Sequence, residues 1–311
     1  RRVAFPMRVK TRRHRRQIQV IGPRVVAPVE DESYHSVVVE THWQTFGELF
    51  GELTPVNVAP LADRLVEAFR AREAPIPAGG ATSLVLGHHA AAVLLHEGVA
   101  HALEADTLAA TGPPEAALGI ELASSLVSVI DDPGAAPDGV KRQTDDEGMP
   151  VVRRWLLRDG VVEQILADRS YSERCGRFEP GAGRRSDRHQ SLGPRSTYLE
   201  MLPGEGSLES LFEGVGEGLY AAEADRGLLD PRTGIFFVSF PHGRRIRNGV
   251  LAEPVGRFLV RSRVADLLSR VVAVGGESAA GGAGWCAKGG QRLPVWASTV
   301  PLVIEAAEVM V

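Results

Sequence analysis

This chain is poor in the features that would settle its class at once. It has 2 cysteines in 311 residues, Cys175 and Cys286, and no signal-peptide pattern opens the sequence. A disulfide framework is therefore not expected, and two reduced thiols in a cytoplasmic protein are the expectation. Aromatic residues make up 6% of the chain, too sparse for stacking platforms. No apolar run reaches membrane-spanning length, since the longest are broken by His, Glu or Arg. The formal charge is −4, so no global field attracts nucleic acid or an anionic membrane. The sequence begins Arg1-Arg2 and is read as a fragment or a processed product.

What is present is globular in balance, with 44% hydrophobic and 24% charged residues. Residues 1–45 read as strands rich in β-branched residues, and RVKTRRHRRQ within them as a solvated basic strand face. Residues 57–72 read as an amphipathic helix with Leu61, Leu65, Val66 and Phe69 at helical spacing. EAPIPAGG looks like a linker. From about residue 150 the pattern is strand-rich, with hairpin turns at Asp159-Gly160 and Asn248-Gly249. Two helices are expected there, one capped by Ser207 and one over SRVADLLSRVVAV. Residues 176–195 read as an exposed loop bordering a site. The fold class that results is α+β.

The chemistry concentrates in VLLHEGVAHALEAD, residues 93–106. His96 and His101 lie at i and i+5, which a regular α-helix separates by about 140°. A common face for both imidazoles requires a π-type turn, and Gly98 would ease the distortion. If both bind one metal, Glu97 is placed to act as a general base beside the first ligand. A third ligand is then needed. Glu104, Asp106, a distant His and a Cys are all candidates, and Glu104 could instead orient a ligand histidine. Cys286 stands out, because a glycine-rich stretch, GGAGWCAKGGQRLP, would let it approach another element and Lys288 would favour its thiolate. His88 and His89 read as structural or substrate-facing, and Cys175 as a plain thiol.

Several segments together resemble the TldD/PmbA metalloproteases, also known as modulators of DNA gyrase. HEGVAHALEAD is similar to that family's HEAVGHxLExD, and GWCAKGGQRLPV to its GxCGKxGQxxPV. SVIDDPG, DDEGMP, PRSTYLEMLPG and GLYAAEADRGLLDPRTGIFFVS fall between them in family order, so the resemblance covers about residues 78–311. It implies a catalytic, TldD-type zinc peptidase with His96, His101 and Cys286 as ligands and Glu97 as base. It implies unfolded or short peptides as substrates, including precursors of modified peptides, and a dimer with a TldE/PmbA-like paralogue or with itself. The alternative is a non-catalytic regulatory or partner subunit. The chain departs from the family at HEGVAH, at Ala287 in place of a glycine and at PRSTY in place of PRxTNT. It also departs in a short N-terminal region: the resemblance implies that residues 1–77 are the remnant of an α/β domain and residues 78–311 the metallopeptidase domain.

Overall fold

A computed structural model describes residues 6–22, 25–27, 29–41, 44–137, 139–280 and 284–311. The opening of the first expected strand, residues 3–5, and the start of the glycine-rich stretch, residues 281–283, lie outside the described residues.

The N-terminal unit is an antiparallel meander of Arg8–Ile18, Glu30–Glu40 and Thr45–Phe50. The helix Pro55–Ala71 packs on it. Pro55 stands at its first position, where the ring needs no donor and φ is already helical. Leu61, Leu65 and Ala68 recur at i, i+4 and i+7 and bury against Val37, Val39, Phe46 and Phe50. Val66 and Phe69 are only half-buried, and Arg72 lies over the Phe69 ring. The basic strand is mostly exposed, as its composition leads one to expect.

Two large sheets form the rest. In the nine-stranded sheet, Leu302–Met310 pairs antiparallel with Gly80–Leu86, which pairs parallel with Gly218–Ala221. Arg226–Asp230 closes one edge through Ile235–Phe240 and Phe258–Arg263. In the seven-stranded sheet, Gln291–Thr299 pairs with Tyr198–Met201 and with Gly284–Lys288. Both expected hairpin turns are present. Asp159 and Gly160 have φ of 49° and 79°, Asn248 and Gly249 of 49° and 75°. Two successive positive φ values give the type I′ turn that matches strand twist. Ser207 caps its helix by accepting from the Ser210 amide at 3.2 Å. The second expected helix is short. Val264–Leu268 is helical, but the β-branched run beyond it becomes the strand Val271–Val274 against Leu302–Met310.

The helix that carries the histidines begins with His88–Leu95, directly after the strand Gly80–Leu86. It runs between the sheets, touching Gln291–Thr299 on one side and Arg226–Asp230 and Ile235–Phe240 on the other. Ala90, Ala91 and Ala92 are small enough for strands to approach on both sides. Leu94 and Leu95 are buried completely, each stabilising by about 1.5–3 kcal/mol. The helix is thus fixed in the main core, and its far end is the site.

Candidate metal centre

The helix is regular only as far as Leu95. His96–Ala100 forms one π turn, His101–Leu103 a 3₁₀ turn, and Glu104 is extended at φ −76°, ψ 130°. The His101 amide donates to the His96 carbonyl, an i to i+5 bond. That single wide turn removes the angular offset of the i, i+5 spacing. The two imidazole centroids lie 4.6 Å apart. Glycine is not what permits it: Gly98 has no left-handed φ, and a Cβ there would meet Phe236 at 3.6 Å, an ordinary contact.

Cys286 arrives from the other sheet. It is the middle residue of Gly284–Lys288, paired with Leu293, and the strand turns back through Gly289-Gly290 at φ 59° and 75°. These two glycines make the turn rather than a close approach. The Cys286 Sγ lies 3.3 Å from His101 Nε2. One donor atom each from His96, His101 and Cys286 falls within 4.8 Å of the others, the sole such grouping of three metal-ligating side chains among the described residues.

The donor set fits a zinc ion. The Nε2 of His96 is buried and has no hydrogen-bond partner, while its Nδ1 faces Ser196 Oγ at 3.4 Å. A buried imidazole nitrogen left unpaired is costly unless something binds it. Two imidazoles and a thiolate are the borderline-soft set that zinc prefers.

Glu104 is fully buried, and its Oε2 accepts from His101 Nδ1 at 2.8 Å. This fixes the ring so that Nε2 faces Cys286. The same oxygen accepts from Lys288, whose ammonium also reaches Asp106 at 2.8 Å and Thr107 at 2.9 Å. Arg195 adds a contact to Asp106 at 3.3 Å. Burial alone would push the Glu104 acid up, but His101, Lys288 and Arg195 pull it down to about 2. Of the candidate third ligands, Glu104 and Asp106 thus stand outside the cluster, one orienting His101 and the other holding Lys288. Lys288 serves the carboxylates and not the thiol. Burial raises Cys286, yet the charge of His96 and the hydrogen bond with His101 overcome it and lower the thiol to about 6.

Glu97 points into a cleft of about 320 Å³ that His96, His89, Glu223, Gly227 and Trp285 also line. Gly227 is packed on it so closely that a Cβ would sit 2.2 Å from Glu97 Cγ. His89 lines this cleft, whereas His88 bonds the Glu277 carbonyl at 2.9 Å. Cys175 is half-buried and takes no part. Arg195 and Ser196 carried no signal of their own, although they lie in the PRSTY stretch that the resemblance marks. The segment 176–195 does border the site, but it is not simply exposed, since Arg184 near its middle and Arg195 at its end are buried.

The family model for the PmbA/TldA metallopeptidase C-terminal domain matches residues 79–298. The chain belongs to the PmbA/TldD family. It is 32% identical over 231 residues to a metalloprotease of Methanothermobacter thermautotrophicus, covering 74% of this chain and 50% of that one. It is 26% identical over 222 residues to a zinc metalloprotease TldD homolog of Saccharolobus solfataricus, covering 70% and 49%. Its fold is that of the crystal structure of TldE from Thermococcus kodakarensis, with a TM-score of 0.70, 19% identity, and 91% of this chain and 64% of that one covered. The chain spans about half the length of the curated PmbA/TldD relatives it matches. No helix among the described residues is long and apolar enough to cross a membrane.

Proposed function

We propose that this chain is a zinc-dependent peptidase of the TldD type, acting on unfolded or short peptides. The observation that carries the reading is the convergence of His96, His101 and Cys286 within 4.8 Å, with one imidazole nitrogen buried and unpaired. The name of the Saccharolobus relative supports zinc as the metal. His96, His101 and Cys286 would hold the ion, which when bound supplies Lewis acidity toward a carbonyl and acidifies water. Glu97, beside the first ligand and open to the cleft, takes the proton of the attacking water and returns it to the leaving nitrogen. Glu104 holds His101 in the tautomer that leaves Nε2 free. The two thiols suit a cytoplasmic protein. A role in maturing a modified peptide, and pairing with a TldE/PmbA-like paralogue or with a second copy, belong to the same reading.

The test is elemental analysis of the purified protein beside His101→Ala and Cys286→Ala, followed by peptide cleavage with Glu97→Gln. Zinc at one ion per chain, lost in both ligand variants, with cleavage lost and zinc kept in Glu97→Gln, supports the reading. Zinc without cleavage, alone or with a paralogue, would replace it by a non-catalytic partner subunit.

A further inference from the structure

The cleft that holds His96 and Glu97 extends to a second group of charged side chains. Glu223 lines it and is only 5% exposed. Its Oε1 faces Arg64 Nε at 3.1 Å. Its Oε2 is buried and has no hydrogen-bond partner. Arg64, on the helix Pro55–Ala71, is shared with Glu48 on the strand Thr45–Phe50. Asp225 is already engaged by Arg257 at 2.7 Å. Three carboxylates, Glu48, Glu223 and Asp225, therefore share two guanidinium groups, Arg64 and Arg257. Arg226 also lines the cleft, on an exposed part of its strand. A buried carboxylate oxygen with no donor is destabilising, and a cationic N–H donor from a ligand is what would complete it.

Its place relative to the metal cluster follows from the helix. The Ala224 amide donates to His89 Nδ1 at 3.5 Å. His89 stands seven residues before His96, hence about 10 Å along the axis at the usual rise. An extended peptide covers that span in about three residues. We propose that Glu223 is a specificity subsite for a cationic group of the substrate, either the peptide α-ammonium or a lysine or arginine side chain. The group lies about three residues from the bond that is cut. The placement relative to a cut bond rests on the peptidase reading; the cation subsite itself does not. The electrostatics agree. Burial, with Glu48 and Asp225 adding to it against Arg64, pushes the Glu223 acid up to about 7, the behaviour of a carboxyl short of a positive neighbour.

The experiment is fluorescence anisotropy with a short peptide labelled at its C-terminus, on zinc-loaded protein carrying Glu97→Gln so that binding is read without turnover. One peptide has a free α-amine, a second is N-acetylated and lysine-free, and a third set is N-acetylated with a single lysine at successive positions. The expected result is about tenfold tighter binding of the free-amine peptide, or of one lysine position, than of the acetylated lysine-free one. Adding Glu223→Gln should remove that preference and leave the acetylated lysine-free peptide bound as before. Which peptide gains identifies the source of the cation. Equal binding of all peptides overturns the proposal even if the Glu223 variant does not fold, and so does a preference that survives Glu223→Gln or a failure of every peptide to bind. Wild-type protein that shows the preference but cleaves none of these peptides keeps the subsite and removes the peptidase.

Discussion

Gly227→Ala puts the position of the proposed base to a direct test. An added Cβ would lie 2.2 Å from Glu97 Cγ, 2.9 Å from its Cδ and 3.2 Å from its Oε1. The first distance is impossible for non-bonded carbons, so something moves. The strand Arg226–Asp230 is held by its pairing with Ile235–Phe240, while Glu97 is a side chain free to change rotamer. Turning it off its rotamer costs about 0.5–1.5 kcal/mol. Gly227 has no left-handed φ, so alanine returns roughly 0.4–1 kcal/mol by restricting the unfolded chain. Stability should therefore stay within about 1 kcal/mol of wild type, a thermal shift of about 2–4 °C at most. The carboxylate, however, is displaced by roughly 1 Å, and a misplacement of that size lowers the rate by about 100-fold, or ~2.7 kcal/mol. Peptide hydrolysis, zinc content and thermal melting are measured on the same preparation. The expected pattern is kcat down about 100-fold with zinc and melting nearly unchanged. Wild-type kcat in a folded, zinc-loaded Gly227→Ala protein would refute Glu97 as the base.

Three further variants test the same structure. Glu104→Gln removes the carboxylate that fixes His101 and should weaken zinc binding by about 10–100-fold in a competition titration. Because Glu104 is held near 2 against an ordinary 4.5, its stabilisation of the metal-free protein is complete above about 4.5 and disappears as pH falls toward 2. The variant should accordingly lose stability less steeply than wild type over that range in acid melts. Gly98→Ala meets only ordinary contacts and should keep full zinc and a melting point at or slightly above wild type; loss of zinc would show that the π turn does need glycine. Gly160→Ala meets the Ala123 carbonyl oxygen at 2.2 Å at φ 79°, so a loss of about 1–3 kcal/mol is expected in denaturant titration.

The site was legible where one segment determined it. An i, i+5 histidine pair can share a face only through a widened turn, and the His101 amide to His96 carbonyl bond is that turn. The paired type I′ turns and the Ser207 cap were legible for the same reason, since turn and cap chemistry depends on neighbours in sequence. Cys286 was different. Its approach to His101 depends on which strand pairs with Gln291–Thr299 and on how that sheet faces the helix, and no local pattern encodes either. The family resemblance supplied it instead. Lys288 shows the limit of reading charge from proximity in sequence: two residues from Cys286 and on the same strand face, it reaches past the thiol to bind Glu104 and Asp106 across the sheets. Arg195 and Ser196 were missed on the same ground, as their partners lie about a hundred residues away.

The metal-free centre has a state of its own that can be measured. Cys286 is buried, which by itself disfavours a thiolate, but the charge of His96 and the hydrogen bond with His101 bring its thiol down to about 6 from an ordinary 9. His101 moves the other way. Burial opposes its charge, and Glu104 and Cys286 overcome that, so its imidazole is held protonated well above the usual range. At neutral pH the pair is a thiolate against an imidazolium. For a depressed thiol the stabilisation is complete above about 9 and lost as pH falls to about 6. Far-ultraviolet thiolate absorbance of the chelator-treated protein should therefore be present at pH 7, fade as pH drops through about 6, and be missing in Cys286→Ser. A thiolate signal that appears only near pH 9 would mean that the histidines do not charge the cysteine, and that the ligand cluster is assembled by the metal instead of waiting for it.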